Sequence, residues 1–198
     1  MQVFERMPFL SRFFIFAAIA LVLGLGSAWR SVNHGFSATA VRYGPWAFWF
    51  REGTADADPY TLAHVARQGS LPVTATSNVV FTATRDSGGA RLSGDCTYEI
   101  RGTAVPSLWW DIAAFTADGE IMPSKTGRSG FSSASIMAAP GGRFTVRLSP
   151  DVQPGNWIPA ARGSRVTLRL SVLRTFNPDS LLKSGGDILP EIALMECS

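Results

Sequence analysis

Val166, Leu168, Leu170 and Val172 alternate with Arg165, Thr167, Arg169 and Ser171. A period of two puts every apolar side chain on one face of an extended strand, whereas 3.6 residues per turn would scatter the same four around a helix. The alternation recurs in Phe144, Val146 and Leu148 against Arg143, Thr145 and Arg147, in Cys96, Tyr98 and Ile100 against Thr97, Glu99 and Arg101, and in Val79, Phe81 and Ala83. Short strands divided by turns such as Asp86-Ser-Gly-Gly89 predict a mainly β, antiparallel sandwich or barrel, not strand–helix–strand units. A chain of 198 residues, 46% hydrophobic, can bury one such domain and carry one appendage.

The bulkiest run is Ser107-Leu-Trp-Trp-Asp-Ile-Ala-Ala-Phe-Thr116, followed by the turn signal Asp118-Gly119. It reads as the central strand, with large side chains on both faces. Asp111 sits mid-strand on the face of Trp109, where burial raises a carboxyl pKa or demands an arginine partner. Trp109 and Trp110 are therefore candidate ligand contacts and Asp111 a weak candidate catalytic acid; the rival reading is a core strand whose Asp is paired with an Arg.

The appendage is N-terminal. Phe13 to Trp29 holds no charged residue, and as a helix it covers about 26 Å against a hydrocarbon core of about 30 Å. Phe9 and Leu10 extend it, so residues 9–29 are expected to contact a bacterial inner membrane. Arg6, Arg12 and the small residues Gly26-Ser27-Ala28 also fit a signal peptide, but the length of the run and the Trp29-Arg30 anchor favour an uncleaved span. The expected divisions are 1–30 anchor or uncleaved signal-like segment, 31–40 linker and 41–198 β-sandwich, with the C-terminal domain in the periplasm. The two cysteines, Cys96 and Cys197, have no metal-ligand spacing, and outside the inner membrane they are expected to pair. The net charge of +3 comes from arginine, since Lys125 and Lys183 are the only lysines; without a basic run, no nucleic-acid partner is implied.

Two short helices are expected. Asp58-Pro59 gives an N-cap and a first helical residue, with Gly69 as the stop, and Asn177-Pro178 starts another running through Leu181 and Leu182. Residues 120–140 lack periodicity and read as an ordered loop or a mobile flap. Trp46, Phe48 and Phe50 make an aromatic segment, either core or a docking surface for a larger membrane complex.

The chain is poor in catalytic groups. His34 and His64 are its only histidines and no Gly-x-Ser-x-Gly elbow occurs, so Ser-His-Asp chemistry lacks support and neither a metal nor another cofactor is expected. Carboxylates recur at Asp95, Glu99, Asp111 and Asp118, from which an acid/base pair would have to come. If the Arg143 and Arg165 strands form a hairpin, Arg143, Arg147, Arg165 and Arg169 share one face suited to phosphate or carboxylate groups, the rival being a solvated face. Asn156 and Trp157, in a proline- and glycine-punctuated loop, are a further ligand candidate, a stacking surface for a sugar or peptide, or equally a turn that satisfies its own backbone.

Gly44-Pro-Trp46, Asp58-Pro-Tyr60, Cys96-Thr-Tyr98, Trp109-Trp110, Pro154-Gly-Asn-Trp-Ile-Pro159 and Arg165-Val-Thr-Leu-Arg-Leu170, in that order, resemble the bacterial domain-of-unknown-function 1214 family, in its short membrane-anchored form, over about Val41 to Cys197. The resemblance implies a jelly-roll-like sandwich and no established reaction. The residue before the paired tryptophans, often basic in relatives, is Leu108 here, so no ligand contact carries over to that position. The expected function is a membrane-anchored envelope protein whose sandwich binds or scaffolds an envelope polymer or membrane-protein partner without catalysis. The alternatives are a hydrolase of an envelope glycan or ester acting near Asp111, and an accessory subunit of an inner-membrane complex.

Overall fold

The structure is a computed structural model that describes residues 8–34, 40–49, 53–54, 56–67, 78–175 and 188–197. In chain order its elements are α1 (Phe9–His34), β1 (Val41–Tyr43), β2 (Trp46–Phe48), α2 (Pro59–Arg67), β3 (Asn78–Ala83), β4 (Cys96–Thr103), β5 (Ser107–Thr116), β6 (Gly130–Ser132), β7 (Arg143–Ser149), β8 (Asn156–Pro159), β9 (Val166–Thr175) and β10 (Glu191–Cys197). The expected second helix at 177–182 and the Gly69 stop lie outside the described residues.

The strands form two sheets, a larger one ordered β1-β2-β3-β9-β5-β6 and a smaller one ordered β10-β4-β7-β8. The fold is mainly β, as the alternation requires, but not purely antiparallel, because β7 and β8 run parallel. The inward-facing residues meet in one core, where Phe81, Ile100, Ile112, Val146, Leu168 and Leu170 are fully buried. Each such aliphatic or aromatic side chain contributes about 1.5–3 kcal/mol on burial. Trp110 stacks on Phe144 across the sheets, with ring centroids 4.9 Å apart.

Two expectations, both about β5, need correction. The paired-tryptophan strand β5 is not the centre of its sheet: β9 lies between β3 and β5, and only three-residue β6 follows β5. Nor does β5 bury both faces, since Trp110 is 2% exposed and Trp109 38%. Trp46 and Phe48 are core residues rather than a docking surface; Trp46 donates its Nε1–H to the Pro190 carbonyl at 2.7 Å and Phe48 packs on Phe81.

The stretch 120–140 is ordered. Met122 and Phe131 reach into the core, and the Ile121 and Ala138 backbones bridge to Phe115 and Phe144. Gly119 turns the chain at positive φ, and at Gly130 an added Cβ would collide with the Ile112 carbonyl, so only glycine lets β6 lie this close to β5.

Outside the sandwich, α1 is long and apolar enough to cross a membrane. Asp58 caps α2 by accepting the Tyr60 and Thr61 N–H groups, each at 3.0 Å, together with the Thr61 hydroxyl. Burial by itself would raise the Asp58 pKa, but these hydrogen bonds outweigh it and hold the carboxyl below its ordinary value. Cys96 and Cys197 are opposed residues of β4 and β10 and are joined by a disulfide, which fits an oxidising compartment.

Candidate functional site

Strand alternation sends Trp110, Ile112 and Ala114 into the core and turns Trp109, Asp111 and Ala113 outward. Outside β5, the loop from Thr126 to Ser129 and the strand β6 with Ser132 and Ser135 wall a cleft of about 510 Å³, lined also by Arg128 and Phe131. The Arg128 guanidinium sits over the Phe131 ring, 5.0 Å from its centroid, so its charge is directed along the wall. Ser132 and Ser135 hold each other's hydroxyls at 3.2 Å, and Ser135 Oγ accepts the Ser132 N–H at 2.9 Å.

Asp111 lies in register between Ser132 of β6 and Ser171 of β9. It is half-buried, and desolvation raises its pKa despite the opposing hydrogen bond from Ser171. Among the described residues no arginine pairs with Asp111: the residue opposite is a serine, and the neighbouring Arg169 stands over the Phe115 ring, 4.4 Å from its centroid. Among the described residues Asp111 is the only carboxylate lining the cleft. Asp95 instead accepts the Gly163 N–H at 2.8 Å and the Ser93 hydroxyl, Glu99 takes Arg101 and Arg147, and Asp118 is exposed in the turn after β5, away from the cleft lining, so the four carboxylates are not brought together.

The four arginines are also divided. β7 pairs with β4 and β8, whereas β9 pairs with β3 and β5. The hairpin that would join them does not form, and Arg143 and Arg147 lie on one sheet while Arg165 and Arg169 follow the other. Arg101, which the alternation assigned to the outward face of β4 without a role, joins the first pair. With Arg143 and Arg147 it lines a groove of about 910 Å³ on the smaller sheet.

Asn156 and Trp157 resolve toward structure. Asn156 is buried; its Oδ1 accepts the Met137 N–H at 2.8 Å, while its Nδ2 donates to the carbonyls of Met137 at 2.8 Å and Thr145 at 2.9 Å. These bonds leave its amide little capacity for a ligand. Trp157 donates its Nε1–H to the Ser149 carbonyl at 3.0 Å, opposite Arg147. Together they fasten β8 parallel to β7. Among the described residues no three His, Cys, Asp or Glu side chains converge as metal ligands would.

A family model described as "Protein of unknown function (DUF1214)" matches residues 77–180, which takes in the Cys96, paired-tryptophan, Asn156 and Arg165 motifs but not Gly44-Pro-Trp46 or Asp58-Pro-Tyr60. The crystal structure of the VPA0106 protein from Vibrio parahaemolyticus is similar at 17% identity and a TM-score of 0.59, over 96% of this chain and 47% of that one. An uncharacterized protein from Burkholderia cenocepacia matches at 15% identity and a TM-score of 0.44, over 90% and 52%. The chain thus spans about half the length of these structures. At such identities the first likeness concerns the fold alone. A search of curated proteins finds no match.

Proposed function

The chain belongs to the DUF1214 family of proteins of unknown function, and from that premise we propose that it is a membrane-anchored binding module. In this reading α1 holds it in the inner membrane, the sandwich stands on the oxidising, periplasmic side, and the cleft outside β5 takes an uncharged, hydroxyl-rich ring ligand of the glycan type. The observation that carries the reading is Trp109: next to a buried tryptophan, it lines a cleft together with serine and threonine hydroxyls, one desolvated carboxyl, and Arg128, whose guanidinium is laid over the Phe131 ring. Sugar rings stack on an aromatic face, and the serine hydroxyls and the Asp111 carboxyl are hydrogen-bonding groups for ligand hydroxyls. The disulfide supports the oxidising side, and the length of α1 supports the anchor.

The rival reading, hydrolysis of an envelope glycan or ester, draws on the raised pKa of Asp111, as a general acid requires. Binding is preferred because glycoside hydrolysis uses two carboxylates and, among the described residues, the cleft lining supplies one. Saturation-transfer NMR of the full chain in detergent, with soluble hexose and N-acetylhexosamine oligosaccharides as probes, tests both. Binding predicts transfer that Trp109→Ala abolishes, with the oligosaccharides intact after prolonged incubation. Equal transfer from both proteins overturns the assignment of the cleft, and Asp111-dependent cleavage replaces binding with hydrolysis.

A further inference from the structure

The outer face of the smaller sheet holds a different set of groups. In register, Glu99 of β4 faces Arg147 of β7, Arg101 faces Thr145, and Thr103 faces Arg143. Arg101 is thus the diagonal neighbour of both Arg143 and Arg147, with stems roughly 7–8 Å apart, a spacing from which two guanidinium groups can converge on one small anion.

Glu99 organises the floor. It is 9% exposed, and it holds Arg101 through one carboxylate oxygen and Arg147 through the other, the latter at 3.7 Å. A nearly buried carboxylate that engages two arginines fixes their stems and leaves each guanidinium with N–H donors to spare, since the fork carries five. Arg143 is exposed and makes no ion pair among the described residues. Glu191 lies beside Arg101 on β10, so three guanidinium charges stand against two carboxylates and one positive charge is left over. Pro154, Gly155 and the Ile188-Leu189 segment complete the lining of the groove, whose volume is about 910 Å³.

We propose that this groove is an oxyanion site in which Arg101, Arg143 and Arg147 bind one phosphate-type group, a phosphomonoester or phosphodiester, independently of the cleft at Trp109. Arg101 and Arg147, pre-positioned by Glu99, supply directed N–H donors, and Arg143 supplies the uncompensated charge. The groove is open and its charge is screened by salt, so the affinity is modest and falls as ionic strength rises.

The test uses the full chain in phosphatidylcholine nanodiscs, titrated with glycerol 3-phosphate and followed by ³¹P line broadening. The wild type is expected to show saturable broadening that added chloride reverses. Arg143→Glu, at an exposed position where folding is preserved, should weaken binding by about tenfold or more. Arg143→Lys should retain part of it, and Trp109→Ala should bind as the wild type does. Co-sedimentation with phosphatidylglycerol vesicles distinguishes the source of the anion. Selective binding to those vesicles makes it a lipid headgroup, and equal broadening of inorganic phosphate makes it a free oxyanion. The absence of saturable broadening in the wild type, or unchanged binding by Arg143→Glu, overturns the proposal. The retained Trp109→Ala response separates this outcome from failure of the glycan reading.

Discussion

The two outer faces of the sandwich are built from the same alternating strands and yet hold opposite chemistry. Outside β5, one half-buried Asp111 is left with serines for neighbours and is driven toward its neutral form. Outside β4 and β7, a more deeply buried Glu99 is matched by two arginines in the cross-strand and same-strand positions. The difference teaches that strand order, and not depth of burial alone, decides which partners a carboxylate on a sheet is given. It also separates the faces mechanically. The smaller sheet is bound at one edge by the Cys96–Cys197 disulfide and at the other by the Asn156 clip, while the cleft rim is carried by three-residue β6.

The sharpest way to break the contrast is to release those edges. Replacing both cysteines by serine removes a cross-link spanning 101 residues, expected to cost about 2–5 kcal/mol in chemical denaturation; an unchanged midpoint would mean that the smaller sheet does not depend on it. Asn156→Ala strands one buried N–H and two carbonyls, with an expected loss of about 2–3 kcal/mol. Hydrogen exchange should then show β8 and the Met137 segment opening before β9, and uniform protection would contradict the clip.

Asp111→Asn acts on the other face and should be small. Because the folded pKa is raised, the carboxyl favours the fold at low pH and that contribution is lost as pH rises through the raised value. The Asn variant should therefore match the wild type near about pH 4 and become the more stable protein toward about pH 8. A stability difference between Asp111→Asn and the wild type that does not change with pH would contradict this. Glu99→Gln should instead lower stability, since it takes the charge away from Arg101 and Arg147. The smallest expected effect is that of Arg143→Ala, within about 0.5 kcal/mol in stability, because its side chain makes no ion pair among the described residues.

How much of this was legible in the sequence depends on which forces set it. Period-two alternation in β3, β4, β7 and β9 reports one-sided burial and so gave the sandwich, and the Asp58 cap is a local signal read from two residues. Sheet membership is not local. β7 and β9 share a pattern, but between them Asn156 and Trp157 turn β8 parallel to β7 through bonds to Met137, Thr145 and Ser149, and the chain then crosses to the other sheet. Alternation carries no signal of this crossing, so neither the separation of Arg143 and Arg147 from Arg165 and Arg169 nor the placement of Arg101 beside the first pair can be read from it. Asp111 was marked out by its place mid-strand; that its neighbours are Ser171 and Ser132 rather than an arginine follows from strand order alone.

The central claim is that the two faces bind independently, one a neutral ring ligand and the other an oxyanion. The most direct measurement titrates the same full-length protein with a neutral N-acetylhexosamine oligosaccharide and with glycerol 3-phosphate, in the wild type, Trp109→Ala and Arg143→Glu. The account predicts a crossed pattern, in which Trp109→Ala loses only the oligosaccharide and Arg143→Glu only the phosphate. Loss of both ligands in either variant, or of neither in both, would contradict it.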